Sequence, residues 1–529
     1  MKNINENIIY VMNSKGHILW IDDEIHHLKP HILFLETRGY KITTATNGND
    51  ADILNQTNRY DLILLDQTMP GLDGIDTLKK IKKNRISIPV IMVTKSEDEW
   101  LMDEAISQQI NQFLIKPVSP NQILSACKQI LEKNKIIEDR TTSDYLKDFQ
   151  RINDELHSML TINDWWDLYV RLVNWQLKFE DHDDTSLSNI LFEQMQSCNK
   201  EFSNFIENNY EEILKKNNDS ILSPGVFKNH ILPLINDKNK VCLIVVDCMR
   251  FDQLLSVSPY LESLFDIELS YHLSLLPSAT PYSRNAIFSG LYPDELIKKY
   301  PKQKKLFTNH ENGLNKYEYD FLLDQLDRHN VNNKRVHYHK IWAVEEGMRF
   351  SKKINNHLEN DFLALVINFV DMLAHDSSKM DVLKEIVPDE SGYRLTVKSW
   401  FENSWFNDVL KALSKSDFQV VITSDHGSVR VNKDIMVSAD RDASSGIRYK
   451  YGRNLKTKNK NAFVINEPQK YRLPILGPQF NYLIAKNDAY FLYPNDANKY
   501  KNKLKSSFQH GGISMEELLV PVLTMKGHR

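Results

Sequence analysis

The sequence predicts an α/β protein of three parts: a doubly wound parallel-sheet domain over residues 1–130, a helical module over 131–220 and a larger α/β domain over 221–529. Short apolar runs alternate with helical patterns up to about residue 130, vanish in the middle, and return from residue 240. The length of 529 residues also exceeds what one ordinary core supports. These observations predict separate domains on one chain.

Composition excludes several classes of protein. The chain is 41% apolar and 26% charged with a formal net charge of -4, which is typical of a globular protein and argues against general nucleic-acid coating. Its 4 cysteines form no CxxC pair, so neither a disulfide framework nor a thiolate zinc site is indicated. The N-terminus lacks a signal-peptide pattern, and no apolar run suffices for a membrane span. We therefore expect a cytoplasmic protein without a membrane segment.

Five strand–helix units account for the N-terminal domain. The predicted strands are HILWI, KITTA, DLILL, IPVIMV and QFLI. The helical patterns that follow them include HHLKPHILFLETRG, DADILNQ, DTLKKIKKN, EDEWLMDEAI and SPNQILSACKQILEK. Regular alternation of this kind predicts a parallel sheet covered by helices on both faces.

Polar side chains cluster at one edge of this predicted sheet. Asp22 and Asp23 follow the first strand and Asp66 follows the third, so their carboxylates are expected side by side. They would repel each other unless they share a cation, and hard oxygen ligands in an open site suit Mg²⁺. Thr94 ends the fourth strand and Lys116 follows the fifth. A hydroxyl and an ammonium at the same edge would complete an anion-binding pocket.

These residues resemble the receiver domain of two-component response regulators, which has a flavodoxin-like fold. The resemblance implies that Asp66 accepts a phosphoryl group from a sensor histidine kinase and that phosphorylation produces a homodimer. It implies three receiver switch residues, namely Thr94, Lys116 and the aromatic Phe113. It also implies one Mg²⁺ ion, whose site comprises Asp22, Asp23, Asp66 and the Thr68 carbonyl.

The middle segment predicts about three amphipathic helices. Apolar residues recur at three- and four-residue spacings in DYLKDFQRINDELHSML, DWWDLYVRLVNWQLKFE and NILFEQMQSCNKEFSNFIENNYEEILKK. Trp165, Trp166 and Trp175 lie in the second of these helices, and we interpret them as core or interface residues.

The C-terminal domain carries a second set of candidate site residues. Three apolar runs, KVCLIVV, FLALVINFV and FQVVITS, are each followed by an aspartate, and ligands bind at the carboxyl ends of strands in open α/β sheets. The candidate metal ligands are Asp247, Asp371, His375, Asp425, His426 and His510. This mixed oxygen and nitrogen set would fill two three-ligand metal sites. Thr280 is the candidate nucleophile because it precedes Pro281 at a predicted helix start, with Ser278 and Ser283 as rivals.

This region resembles the alkaline phosphatase superfamily. SGLYP lies at the distance from Thr280 that is typical of its phosphodiesterases, DMLAH and SDHG match two ligand elements, and PSATPYSRNAIFSG with HGGISMEELLVP is most similar to the PglZ branch. The resemblance implies two zinc ions, one held by Asp247, Thr280, Asp425 and His426, and the other by Asp371, His375 and His510. Bound metal would activate the Thr280 hydroxyl for in-line attack on phosphorus. A sulfatase is excluded because Ala279 and Ser283 occupy the key positions of its C/S-x-P-x-R motif.

The expected substrate is a nucleotide or a short cyclic or linear oligonucleotide. Arg284 is a candidate clamp for a phosphoryl oxygen, with a surface salt bridge as the alternative. Residues 300–317 and 429–460 are interpreted as surface loops, and Tyr449 and Tyr451 in the second are candidates for stacking on a base. The basic residues around these tyrosines are Arg430, Lys433, Arg441, Arg448, Lys450 and Arg453. A solvated basic loop is the alternative.

Receiver, helical module and PglZ-type domain together resemble PorX-like response regulators. The resemblance implies a phosphorylation-controlled, zinc-dependent phosphodiesterase that regulates type IX secretion, with contacts to a sigma factor or a secretion-system component. The alternative hypothesis is a regulatory binding or scaffold protein, linked to transcription, whose metal domain is structural or catalytically inactive. The sequence carries no helix-turn-helix signature with clustered basic residues after the receiver, which weighs against direct DNA reading.

Overall fold

The structure of the chain is a computed structural model. It describes residues 14–84, 87–95, 99–108, 110–158, 160–180, 185–215, 221–302, 316–331, 334–377, 381–438, 444, 446–494 and 497–528. Two compact units divide between Asp148 and Phe149. Within the described ranges, no helix is both long and apolar enough to cross a lipid bilayer.

A parallel sheet of five strands organises the first unit. The strands are β1 (Gly16–Ile21), β2 (Tyr40–Ala45), β3 (Leu62–Asp66), β4 (Val90–Thr94) and β5 (Gln112–Ile115). Their spatial order is β2-β1-β3-β4-β5, and every neighbouring pair is parallel. The predicted receiver fold is confirmed, and the carboxyl ends of β1, β3, β4 and β5 lie along one edge.

Helices cover both faces of this sheet because its strands are apolar on both sides. They are α1 (Lys29–Glu36), α2 (Gly48–Thr57), α3 (Gly74–Asn84), α4 (Glu99–Ser107) and α5 (Pro120–Leu131), with a 3-10 turn at Ile25–Leu28. Two separate clusters of buried apolar residues result, one on each side of the sheet. The start of α5 is fixed by a capping box in which Ser119 accepts from the backbone of Gln122 and the Gln122 side chain accepts from the backbone of Ser119.

The middle module comprises three long helices, as predicted. They are α6 (Lys133–Leu156), α7 (Ile162–Glu180) and α8 (Thr185–Lys215). Trp165, Trp166 and Trp175 are all buried. Trp166 stacks on Tyr271 of the C-terminal domain with ring centroids 4.6 Å apart. Trp166 therefore helps to pack α7 against that domain.

A mixed sheet of six strands forms the centre of the C-terminal domain. The strands are β6 (Lys240–Val246), β7 (Phe265–Leu273), β8 (Val336–Ile341), β9 (Phe362–Ile367), β10 (Phe418–Thr423) and β18 (Leu519–Gly527), in the spatial order β7-β18-β10-β6-β9-β8. The four strands β10, β6, β9 and β8 are parallel neighbours, whereas β18 is antiparallel to both β10 and β7. The three apolar runs predicted from sequence are therefore adjacent strands.

Helices flank this sheet and smaller sheets extend it. The helices are α9 (Leu232–Asn236), α10 (Phe251–Glu262), α11 (Thr280–Ser289), α12 (Pro293–Lys299), α13 (Glu318–Arg328), α14 (Val344–Lys352), α15 (Ile354–His357), α16 (Phe369–Ser377), α17 (Asp381–Ile386), α18 (Glu390–Asn403), α19 (Trp405–Ser414), α20 (Ala497–Leu504) and α21 (Met515–Leu518). The smaller sheets pair β11 (Val429–Arg430) with β17 (Phe508–Gln509), β12 (Lys433–Met436) with β16 (Ala489–Leu492), and β13 (Tyr449–Arg453) and β14 (Ala462–Ile465) with β15 (Phe480–Ala485). Short 3-10 and π turns occur at Ser223–Gly225, Phe227–Ile231 and Pro468–Tyr471.

The prediction that residues 429–460 form a surface loop is wrong. This segment contributes β11, β12 and β13 to the smaller sheets. The Arg448 and Lys450 side chains are buried, and the Lys450 ammonium donates to the Gly446 carbonyl at 2.8 Å. Arg448 is paired with Glu517, and Lys450 donates to a backbone carbonyl, so these two charged side chains are accommodated inside the fold. Arg441, and residues 303–315 of the other proposed loop, lie outside the described residues.

Candidate phosphoacceptor site and candidate active site

Lys116 joins two carboxylates at the edge of the receiver sheet. Its ammonium donates to Asp22 Oδ2 and to Asp66 Oδ2, each at 2.8 Å. Asp22 directly follows β1, Asp66 ends β3 and Lys116 directly follows β5, so the strand order brings them together. Asp23 completes the acid cluster, in which one oxygen from each residue lies within 4.8 Å of the others.

The acid cluster has the donor set that a hard divalent cation requires. Three carboxylates share the cluster and one ammonium contacts two of them, so negative charge remains uncompensated. Burial raises the pKa of Asp66, and the hydrogen bond from Lys116 opposes that rise. Burial lowers the pKa of Lys116, but its hydrogen bonds to both carboxylates raise it overall. Asp22, Asp23 and Asp66 therefore fit Mg²⁺, which prefers oxygen ligands.

The remaining predicted receiver residues lie on the neighbouring strands or in the loop after Asp66. Thr94 ends β4 beside Asp66 and is fully buried, and Phe113 lies on β5 and is half-buried. The Thr68 backbone amide lies 3.4 Å from Asp66 Oδ1. A Cβ at Gly74 would lie 2.6 Å from the Asp66 carbonyl, so the loop after Asp66 can close only with glycine there.

Three adjacent strands bring the candidate metal ligands of the C-terminal domain together. Asp247 directly follows β6, the pair Asp425 and His426 follows β10, and α16 after β9 carries Asp371 and His375. Because β10, β6 and β9 are parallel neighbours, all these residues lie at one sheet edge. The loop between β17 and α21 delivers His510, the sixth predicted ligand, to the same place.

The first group of ligands contains the predicted nucleophile. Asp247, Asp425 and His426 are buried and present ligand atoms within 4.8 Å of one another. Thr280 Oγ1 lies 3.1 Å from His426 Nε2 and 3.4 Å from Asp247 Oδ1. Thr280 is the first residue of α11, where backbone N–H groups lack helical partners. A hydroxyl is thus held at a helix N-terminus beside two candidate metal ligands.

The second group lies beside the first. His510 Nε2 is 3.2 Å from His375 Nε2, and Asp371 Oδ1 is 3.5 Å from the former and 3.4 Å from the latter. The rings of His426 and His510 stack with centroids 4.3 Å apart, which links the two groups. The structure thus brings the six predicted Asp and His ligands together as two groups of three, with Thr280 beside the first group.

Each of the two groups contains a carboxylate oxygen that is available to bind a metal ion. Asp371 Oδ1 and Asp425 Oδ2 are buried without a hydrogen-bond partner among the described residues. Burial raises the pKa of Asp425 to about 6 and also raises that of Asp371, while burial lowers the pKa of His510. Divalent cations would stabilise the charged carboxylates and would bind the neutral imidazole. The mixed oxygen and nitrogen donors fit zinc.

Arg284 is a buried partner of the site and not a surface residue. Its guanidinium, 1% exposed, contacts Asp247 Oδ2 and donates to Glu318 Oε1 at 2.7 Å. Asn368 also donates to Asp247 Oδ2, at 2.9 Å. Burial raises the pKa of Asp247, but the charges of Arg284, His426 and Lys340 together with the hydrogen bond from Arg284 lower it overall. The alternative of a surface salt bridge is therefore wrong, and Arg284 holds Asp247 in its ionised form.

Ser278 and Ser283 are occupied by structural hydrogen bonds. The Ser278 hydroxyl donates to the Gly512 carbonyl at 2.7 Å, and the Ser283 hydroxyl lies 2.7 Å from that of Ser274. Both serines are fully buried. Of the three candidate hydroxyls, Thr280 is the one that contacts the ligand groups.

Tyr449 and Tyr451 do not lie on an exposed loop. They are 9% and 5% exposed, and the Tyr449 ring packs edge-on against Tyr282 with centroids 5.8 Å apart. A Cβ on Gly511 would lie 2.4 Å from the Tyr449 ring, so this tyrosine fills space behind the His510 loop. The prediction that Tyr449 and Tyr451 stack on a base from a surface loop is therefore wrong, and both tyrosines pack inside the domain.

Sequence reasoning missed two features of the site. Glu318, which anchors Arg284, comes from a separate helix and carries no motif. Cys248 has φ of 67°, and its backbone N–H lies 3.3 Å from Asp425 Oδ1. The only sequence signal for this turn is the position of Cys248 directly after Asp247, and left-handed backbone at a non-glycine residue is costly unless its surroundings hold it.

Three family models match the chain. The response regulator receiver domain matches residues 18–128, the PorX response regulator linker domain matches 135–214, and the BREX system PglZ alkaline phosphatase-like domain matches 226–525. The last of these covers more than half of the chain.

Curated relatives match part of the chain. The alkaline phosphatase synthesis transcriptional regulatory protein PhoP of Bacillus subtilis is 31% identical over 153 residues, 29% of this chain and 60% of its own length. The transcriptional regulatory protein ResD of the same organism is 33% identical over 116 residues, 22% and 48% of the two chains. The chain thus spans about half to three-fifths of the length of these relatives.

Among solved structures, the receiver domain of the Francisella response regulator 1452 is 28% identical, with 22% of this chain and 98% of that chain covered and a TM-score of 0.22. The Vibrio cholerae chemotaxis protein CheY4 is 25% identical, with the same coverage and a TM-score of 0.21. The chain belongs to the family that carries the PglZ alkaline phosphatase-like domain, in a PorX-like architecture with a response regulator receiver and linker.

Proposed function

We propose that the chain is a response regulator whose phosphorylation on Asp66 controls a zinc-dependent phosphodiesterase. One observation carries the enzymatic part of this proposal: Thr280 Oγ1 lies 3.1 Å from His426 and 3.4 Å from Asp247, beside the second ligand group. A nucleophile flanked by two three-ligand groups is the arrangement that two-metal phosphoryl transfer requires.

The chain's own residues supply most of the chemistry. Thr280 attacks phosphorus in line, the alcohol of the scissile ester leaves, and water then releases the phosphoryl group from Thr280. Arg284 and Asn368 hold Asp247 in its ionised form throughout. The backbone N–H groups at the start of α11 stabilise negative charge on the phosphoryl oxygens. When bound, the two zinc ions would lower the pKa of the attacking hydroxyl and stabilise the departing oxygen.

A phosphodiester of a nucleotide or short oligonucleotide is the proposed substrate. The support is the SGLYP segment, 289–293, which follows Thr280 as in the phosphodiesterase branch. Because Tyr449 and Tyr451 are buried, they are not available to stack on a base. We therefore propose that other residues recognise the base.

The receiver supports a proposal about partners. A receiver domain requires a phosphodonor, and we propose a sensor histidine kinase. Trp100, Ile106 and Ile115 are exposed on α4 and β5, at 66%, 66% and 40%. An exposed apolar surface of this kind is suited to self-association, which supports the homodimer on phosphorylation. From the PorX-like architecture we further propose a role in type IX secretion, in the cytoplasm, with a sigma factor or secretion-system component as partner.

A regulatory binding protein is the second candidate. PhoP and ResD are transcriptional regulatory proteins by name, although their similarity covers 29% and 22% of this chain. In that case the metal ligands of the C-terminal domain would serve structure and not turnover.

Turnover by purified, zinc-loaded protein separates the two candidates. The substrates are a bis-aryl phosphodiester, a dinucleotide and an aryl phosphomonoester, and kcat/KM is compared among them. We expect faster turnover of the diesters and a loss of about a thousandfold or more in Thr280→Val, which keeps the branched shape. Thr396→Val, on α18, is the matched control, since its hydroxyl bonds the Gly392 carbonyl. Faster turnover of the monoester overturns the substrate class, and no turnover of any ester supports the binding protein.

A further inference from the structure

One short helix, α21, holds both loops that carry histidine ligands. The Gly427 amide, next to His426, donates to the Glu517 carbonyl at 3.1 Å. A Cβ at Gly427 would lie 2.0 Å from the Glu516 carbonyl, so the two segments are in direct backbone contact. The Gly512 amide, two residues after His510, donates to Glu517 Oε1 at 2.8 Å. A shift of α21 would therefore move both loops.

The Glu517 carboxylate makes this junction rigid. It is fully buried, it is paired with the buried Arg448 guanidinium, and it accepts from the Ser514 hydroxyl at 2.8 Å. A buried carboxylate with its partners in place fixes the backbone around it, because leaving any partner unpaired is costly.

The middle module forms hydrogen bonds with α21 through one asparagine. Asn199, on α8 and 2% exposed, accepts from the Met515 amide at 2.8 Å. Its own amide donates to Glu516 Oε2 at 2.9 Å and Oε1 at 3.1 Å. Ser203, one turn further along α8, donates to the Ile513 carbonyl at 3.1 Å. The helix thus contacts both α21 and the loop that precedes it.

The α8 helix is also tied to α6, the helix that follows the receiver in the chain. The Gln194 side chain donates to the Phe149 carbonyl at 3.0 Å and lies 3.2 Å from Asn153 Oδ1. Contacts therefore run from the second half of α6 to α8 and from α8 to α21.

We propose that Asn199 is a positioning residue for the hydrolase site, and that its contacts with Met515 and Glu516 let α8 set the placement of the His426 and His510 loops. Movement of α8 then changes metal affinity and turnover without any contact between the middle module and the substrate. This inference rests on the proposed phosphodiesterase function and assigns its control to a specific contact.

Asn199→Asp tests the contact with little change of shape. The new carboxylate still accepts from the Met515 amide, but it loses both donors and places like charge against Glu516. We expect kcat and zinc affinity to fall about 10- to 100-fold, as for residues that orient metal ligands, with KM unchanged. Asn208→Asp is the matched control because it makes the same charge change at an exposed position of α8.

The double variant Asn199→Asp with Glu516→Gln restores the contact in reverse. The amide introduced at position 516 can donate to the carboxylate introduced at position 199, and the net charge of the pair returns to its original value. We expect recovery of most of the lost kcat and zinc affinity. If the single variant unfolds, the kcat and zinc affinity of the double variant still test the proposal.

Two measurements test the positioning role of Asn199: zinc affinity by competition titration, and kcat on the bis-aryl diester. Wild-type values of both in Asn199→Asp overturn the positioning role, and so does a folded double variant that recovers neither. A wild-type protein that binds two zinc ions but hydrolyses no diester contradicts the proposed function, whereas the zinc affinities of the variants still test the Asn199 contact.

Discussion

Arg284 is paired inside the protein with Asp247, a predicted metal ligand, and this pair connects the stability of the domain to its chemistry. The guanidinium also contacts Glu318, and all three side chains are at most 2% exposed. The arrangement keeps Asp247 ionised before any metal binds. It makes Arg284 a positioning residue, in contrast to its predicted role as a substrate clamp.

Replacement of Arg284 by Met should destabilise the protein strongly. Removal of one partner from a buried ion pair leaves uncompensated charge, which costs about 3 to 5 kcal/mol in the free energy of unfolding. Urea denaturation measures the change. Arg335→Met is the control, because its pair with Asp361 is 3.8 Å long and 65% exposed on the arginine side, so we expect at most about 1 kcal/mol. Equal effects of the two substitutions would contradict the role of Arg284.

Removal of either Asp371 or His510 should lower bound zinc from two equivalents towards one. Each substitution to Ala deletes one of three protein ligands from the same group and leaves the other group complete. Elemental analysis of the purified variants gives the stoichiometry, with the exposed His157→Ala as control. Two equivalents in both variants would disprove the grouping of ligands.

Phosphorylation of Asp66 should drive dimerisation. A phosphoryl group at the Lys116 ammonium would rearrange the pocket and repack the surface that includes β5. Light scattering with and without beryllofluoride measures the molar mass. The exposed Asp76→Ala should respond as the wild type does, whereas Asp66→Ala should not. A dimer of Asp66→Ala that forms equally well with beryllofluoride would refute the assignment.

Acid should destabilise the protein in part through His272. Burial lowers the pKa of this histidine to about 4, and its Nε2 lies 2.9 Å from the Ser424 carbonyl. Because the unfolded state takes up the proton near pH 6.5, the folded state loses stability as pH falls from about 6.5 to about 4. The loss amounts to about 3 kcal/mol. Urea denaturation across this range should show a smaller loss in His272→Gln than in the wild type, and parallel curves would contradict the prediction.

The sequence allowed the ligand sets to be predicted because parallel strands deliver their carboxyl ends to one edge. Asp66, Asp247 and Asp425 were identifiable from the apolar run before each of them. Long-range partners had no such pattern: Asn199 and Met515 are 316 residues apart, and Arg284 and Glu318 are 34 apart. Residues 429–460 were interpreted as a surface loop because they are polar, and the polarity of a sequence does not show that charged residues such as Arg448 and Lys450 are buried with partners.

Trapping a covalent intermediate on Thr280 tests the proposed nucleophile most directly. Zinc-loaded protein is mixed with excess bis-aryl phosphodiester, quenched in acid within one turnover, digested and analysed by mass spectrometry. We predict an aryl phosphoryl adduct on the peptide that contains Thr280, absent from Thr280→Val, together with a burst of released aryl alcohol. Steady turnover by Thr280→Val at the wild-type rate, with an adduct on another residue or on none, would contradict the account.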